Sequence, residues 1–164
     1  MNGYEMEPWH DFFVAQAGAG AALAGLIFVA ISINLAKLLG ERAVQGRAIE
    51  ALLLLISLLL VGLAGLVPGQ GPRLFGGELL AFGIVLSGLL LTTSASKAQA
   101  GGASPRQHLF RNILGQSTAI TIALGGLTLL AGAGGGLYWL AAGAIVAILA
   151  GMIGAWVLLV EILR

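Results

Sequence analysis

Four stretches of this chain contain no Asp, Glu, Lys, Arg or His: residues 12–36, 51–72, 79–96 and 112–160. A bilayer's hydrocarbon core is ~30 Å thick and takes about 20 helical residues to cross. Each of the first three stretches suits one crossing. The fourth, 49 residues long, would form a helix of roughly 74 Å at ~1.5 Å per residue. It must therefore fold back, and Gly132-Ala133-Gly134-Gly135-Gly136 marks the place. The expectation is an all-α polytopic membrane protein, a five-transmembrane-helix bundle forming one membrane domain over 1–164. Its helices should cover about 8–39, 47–67, 77–97, 105–132 and 137–163.

Charged residues make up 9% of the chain and apolar residues 59%, against about 25% charge in an ordinary soluble domain. Five spans use nearly every residue and leave no room for a soluble domain. A net charge of +1 offers nothing to a nucleic acid, and no Lys/Arg cluster is dense enough for a lipid-headgroup site. The absence of Cys excludes disulfides and thiolate metal sites. The first residues do not read as a signal peptide. They hold Glu5, Glu7 and Asp11 without a Lys or Arg, and the apolar run behind them exceeds the usual 7–15 residues.

Basic residues set the expected orientation. Lys37, Arg42 and Arg47 fall in the first loop, Lys97, Arg106 and Arg111 around the third, and Arg164 at the C-terminus. The N-terminal tail and the fourth loop carry none, and the second loop only Arg73. The positive-inside rule then places the N-terminus outside and the C-terminus in the cytoplasm, as an odd number of spans requires.

Local signals agree with these spans. Pro8 suits a first helical position, Asp11 favours the positive end of the helix dipole, and Trp9 fits an interfacial aromatic belt. Pro68-Gly69 and Gly71-Pro72 form a turn after the second helix. Ser104-Pro105-Arg106-Gln107 is a capping-box pattern before the fourth, and Tyr138-Trp139 anchors the start of the fifth. There is no internal repeat, and five spans do not divide into two equal inverted halves.

Candidate functional residues are of three kinds. Gln16 and Asn34 stand 18 residues apart, five turns on one face of the first helix, with Gly20, Leu23, Ile27 and Ile31 along the same line. Around a symmetry axis this stripe would line a pore with polar mouths and a hydrophobic constriction that gates by dewetting. Alternatively, the two amides simply sit at the two interfaces. Small residues recur every four positions at Ala17, Ala21 and Gly25, and at Gly143, Ala147, Gly151 and Ala155. Such faces let backbones approach closely in lipid, either within one protomer or between protomers. Ser117, Thr121 and Thr128 with Gln116, and Ser87 with Ser94, line a hydrated path or bond carbonyls of their own and neighbouring helices.

Glu7, His10 and Asp11 have the spacing of three metal ligands, but Glu7 precedes the helix and Asp11 serves its dipole, so no metal site is expected. No titratable group is expected at bilayer mid-depth, where proton relays keep theirs. No nucleophile–base pair, HExxH or phosphate loop is present. Neither an enzyme nor a bound cofactor is expected.

Trp9-His10-Asp11-Phe12-Phe13, followed by the run from Ala21 to Asn34, resembles the opening of a family of small bacterial multi-pass membrane proteins with no assigned biochemical activity. The Pro68-Gly69-Gln70 turn adds to the likeness. It implies a bacterial cytoplasmic (inner) membrane protein without naming a task. Residues 21–35 are also similar to the pore helix of Orai calcium channels, with small residues, a Gly and an apolar run. Ile33 stands where that family's selectivity carboxylate belongs, and the expected orientation of the helix is reversed, so the likeness is one of packing style.

Two functions fit these observations. The first is a homo-oligomeric passive pore or channel for ions or small solutes, lined by Gln16, Leu23, Ile27, Ile31 and Asn34. The second is a non-transporting accessory or scaffold protein whose small-residue faces grip another membrane protein. The lipid bilayer is the expected surrounding in both.

Overall fold

The computed structural model describes residues 3–33, 35, 40, 42–100 and 105–163. For 42, 43, 94–100, 105–108, 110, 111 and 157–163 it describes the backbone alone. A short 3-10 turn, Glu7–Trp9, leads into α1 (His10–Ile33). It is followed by α2 (Arg42–Gly65), α3 (Pro72–Ala100), α4 (Pro105–Ala131) and α5 (Tyr138–Leu163). Each of the five is long and apolar enough to cross a membrane.

Three helix starts differ from the sequence expectation. Pro8 lies in the 3-10 turn, and α1 proper begins at His10. α2 begins at Arg42, more than a turn before Arg47. α3 begins at Pro72, whose missing N–H suits a helix start. Gly76 and Gly77, at the expected start near residue 77, lie inside α3. Gly76 is there because α4 comes so near: a methyl on it would stand 3.0 Å from the Gly126 carbonyl oxygen.

Glycines set the helix register throughout. A methyl on Gly62 of α2 would stand 2.8 Å from Ala17 N, and one on Gly20 of α1 would stand 2.6 Å from Leu59 N. Between α3 and α4, Gly83 meets Ala119 and Ala123, while Gly126 meets Gly76 and Leu80. Gly151 and Gly154 of α5 face Leu55 and Ala51 of α2. In every case residue numbers rise along one helix as they fall along its neighbour, so consecutive helices alternate in direction. α1 packs along α2, α3 along α4, and α5 lies against both α2 and α4. α1 meets little besides α2.

The alternation gives the bundle two ends. At one, here the basic end, α2 and α4 begin and α3 and α5 finish. At the other, residues 3–9 cover the turn between α4 and α5. Gly132, Gly134, Gly135 and Gly136 in that turn all have positive φ, which glycine adopts without a Cβ penalty. Ala133 N donates to the Thr128 carbonyl, closing α4 with a Schellman-type bond. Leu137 N donates to the Gly3 carbonyl at 2.8 Å and Gly135 N to the Tyr4 hydroxyl at 2.9 Å. Trp9 packs edge-on against both Phe12 and Tyr138, and the buried Phe13 packs edge-on against Phe75 of α3. The outer surface is apolar, with Leu26, Phe28, Ile33 and Trp156 each more than three-fifths exposed.

Candidate functional site

The stripe on α1 faces its own protomer. Gln16, Gly20 and Ile27 are buried, and Leu23 and Ile31 are half-buried. Gln16 Nε2 donates to the Leu58 carbonyl of α2 at 3.1 Å. Ile27 packs with Leu55 and Leu58 of α2 and with Ala144 and Ala147 of α5. Asn34 lies outside the described residues. Gln16, Gly20 and Ile27 thus form a packing face against α2 within the protomer.

The two small-residue faces have different neighbours. On α5, Gly143 meets Thr121 of α4, Ala147 is fully buried, Gly151 meets Leu55 of α2, and Ala155 packs beside that cluster. The α5 face thus packs inside the protomer. On α1, Ala17 is buried against Gly62, but Ala21 and Gly25 are exposed. Gly18 and Ala22 are exposed beside them, and a methyl added at Gly18 or Gly25 would meet nothing within 4 Å. The result is a smooth outward strip on the helix that makes the fewest contacts within the bundle.

The hydroxyls of α4 turn to their own helix. Ser117 donates to the Leu114 carbonyl, Thr121 to those of Ser117 and Thr118, and Thr128 to those of Leu124 and Gly125. Gln116 and Ser87 instead join α4 to α3. Ser87 Oγ donates to Gln116 Oε1 at 2.7 Å, and Gln116 Nε2 donates to the Ser87 carbonyl at 3.2 Å. The side chain of Ser94 lies outside the described residues. Glu7, His10 and Asp11 are all exposed, and among the described residues no three His, Cys, Asp or Glu gather in a group that could hold a metal.

Sequence reasoning passed over Glu50. It stands one residue before a charge-free run and so reads as a loop-proximal charge, yet it is 7% exposed within the span Val44–Gly65. Its carboxylate lines a cavity of about 50 Å³ among α2, α4 and α5, together with Arg47, Leu54, Leu114, Gly115 and Ile153. Two signals were available. Glu50 and Ser57 lie seven residues apart on one face of α2, and Arg47 is placed one turn before Glu50. An ionisable side chain held inside a membrane bundle marks a functional site by default.

Compared with protein-family models, curated proteins and solved structures, the chain matches none of them.

Proposed function

We propose that this is a non-enzymatic accessory protein of a bacterial inner membrane, with its basic end in the cytoplasm, which holds another membrane protein against α1. The observation that carries this is the outward strip of Gly18, Ala21, Ala22 and Gly25 on a helix packed almost solely on α2. Lipid tails are as apolar as Leu, so no hydrophobic force drives helices together there. Close backbone approach across small residues supplies the attraction instead. A passive pore lined by the Gln16–Ile31 stripe would require α1 to leave α2, breaking the Gln16–Leu58 bond and exposing Ile27.

The test is extraction in mild detergent followed by identification of what remains bound, for the native chain and for Gly18→Leu and Gly25→Leu. A Cβ at either position meets open space, so both variants are expected to fold. Loss of a stoichiometric partner in both variants supports the accessory role. Retention of every partner by both variants sinks it, and solute flux from reconstituted native protein would favour the pore.

A further inference from the structure

We infer that residues 3–9 are a latch, which opens as one unit from the turn between α4 and α5 while the bundle beneath stays folded. In the closed form Gly3 is buried against Gly135 and Gly136, and a methyl on it would stand 2.6 Å from the Gly135 carbonyl oxygen. Beyond that seat the latch is a surface segment. Glu5, Glu7 and Pro8 are exposed, and Tyr4, Met6 and Trp9 are only half-buried. Three interactions with the turn and the start of α5 hold it closed. The Gly3 carbonyl accepts from Leu137 N at 2.8 Å, the Tyr4 hydroxyl accepts from Gly135 N at 2.9 Å, and the Trp9 ring lies edge-on to Tyr138 with centroids 5.0 Å apart.

Closure carries a cost at the same place. The Trp9 indole N–H is buried and meets no acceptor. An orphaned buried donor costs about as much as one or two ordinary hydrogen bonds contribute, so the closed form wins by little. Lifted from Tyr138, the indole reaches the membrane–water interface, where water and headgroups accept its N–H. The structure on either side of the latch holds itself. Phe13, fully buried against Gly65 and Phe75, fixes α1 beyond it. The turn keeps its own bonds, from Ala133 N to the Thr128 carbonyl and from Trp139 Nε1 to the Gly134 carbonyl at 2.8 Å. A segment held by so few contacts at the edge of a bundle opens locally, well before the core does. Its opening bares the start of α5 and the Tyr138 ring.

Site-resolved amide exchange of the full chain in lipid nanodiscs tests this, because one opening exposes the Gly135 and Leu137 amides together. Tyr4→Phe removes the acceptor of the Gly135 N–H alone. It should nevertheless accelerate exchange at Leu137 by about fivefold, with exchange in α2 unchanged. Trp9→benzothienylalanine keeps the shape of the side chain and puts sulfur in place of the N–H. It should slow exchange at both amides by about fivefold, since closure no longer strands a donor. Both positions lie at the edge of the bundle, so both variants are expected to fold. Acceleration confined to Gly135 in Tyr4→Phe overturns the inference. So does unchanged or faster exchange in Trp9→benzothienylalanine, and either result would make residues 3–9 a fixed cap.

Discussion

Gln16 on α1 donates its side-chain amide to the Leu58 carbonyl on α2 across 3.1 Å, one turn from the point where Gly20 brings α1 against the α2 backbone. The other half of the same amide, Oε1, is buried and meets no hydrogen-bond donor. One satisfied and one orphaned polar atom nearly cancel in stability, because a bond between membrane helices contributes only ~0.6 kcal/mol on average. Gln16→Leu should therefore change unfolding in detergent by less than about 1 kcal/mol. Gln16→Ala, which leaves a void, should destabilise by about 2 kcal/mol or more. Thermal unfolding of the two variants side by side checks the difference.

Gly62 and Gly18 offer the opposite contrast on the two sides of α1. A methyl on Gly62 collides with the backbone at Ala17 N and the Phe13 carbonyl, whereas Gly18 faces open space. Gly62→Ala should separate α1 from α2 and lower stability by ~1–3 kcal/mol. Gly18→Ala should stay within about 0.5 kcal/mol of the native chain.

Ile27 separates packing from conduction. It is 4% exposed among Leu55, Leu58, Ala144 and Ala147. Ile27→Ser should destabilise the protomer by roughly 3 kcal/mol or more, through a cavity and a buried hydroxyl. Its liposomes should leak no more than those of the native protein. A sharp rise in basal flux with the fold intact would return Ile27 to the lining of a pore.

The turn between α4 and α5 depends on glycine geometry and on one tyrosine. Gly135 has φ +116°, a region that a Cβ strains, so Gly135→Ala should lower stability by ~1–3 kcal/mol. Tyr4→Phe removes the acceptor of the Gly135 N–H. Amide hydrogen exchange at Gly135 should then accelerate, while exchange within α2 remains unchanged.

Orientation is read by labelling single cysteines in intact cells with an impermeant thiol reagent. Cysteines at the exposed Glu5, Gly71 and Ala133 should react from outside, and those at Gln45 and Gly101 should not. Reaction at Gly101 from outside reverses the proposed topology.

Where sequence reading failed, the failures have identifiable causes. The third helix was expected from about residue 77, yet it begins at Pro72 and takes in Gly76, which is needed where α3 and α4 nearly touch. Glu50 adjoins a charge-free run, so its position along the chain does not distinguish a loop charge from one folded under α4. The bond between Ser87 and Gln116 joins residues 29 apart, and neither residue alone indicates its partner.

Sequence alone determined the five membrane-length helices found among the described residues, their approximate limits and the turn at residues 132–136. Transfer into lipid depends on the summed character of about 20 consecutive residues, and glycine's backbone freedom is a property of the residue itself. Only the tertiary structure decided which way each helix faces. A soluble helix reveals its buried side through the contrast between polar and apolar residues. A helix that is apolar all round has no such contrast, so Gln16 facing α2, Gly25 facing outward and Glu50 lying under α4 follow from which neighbours pack closest. Close packing between helices is a property of pairs of surfaces, which no single stretch of chain contains.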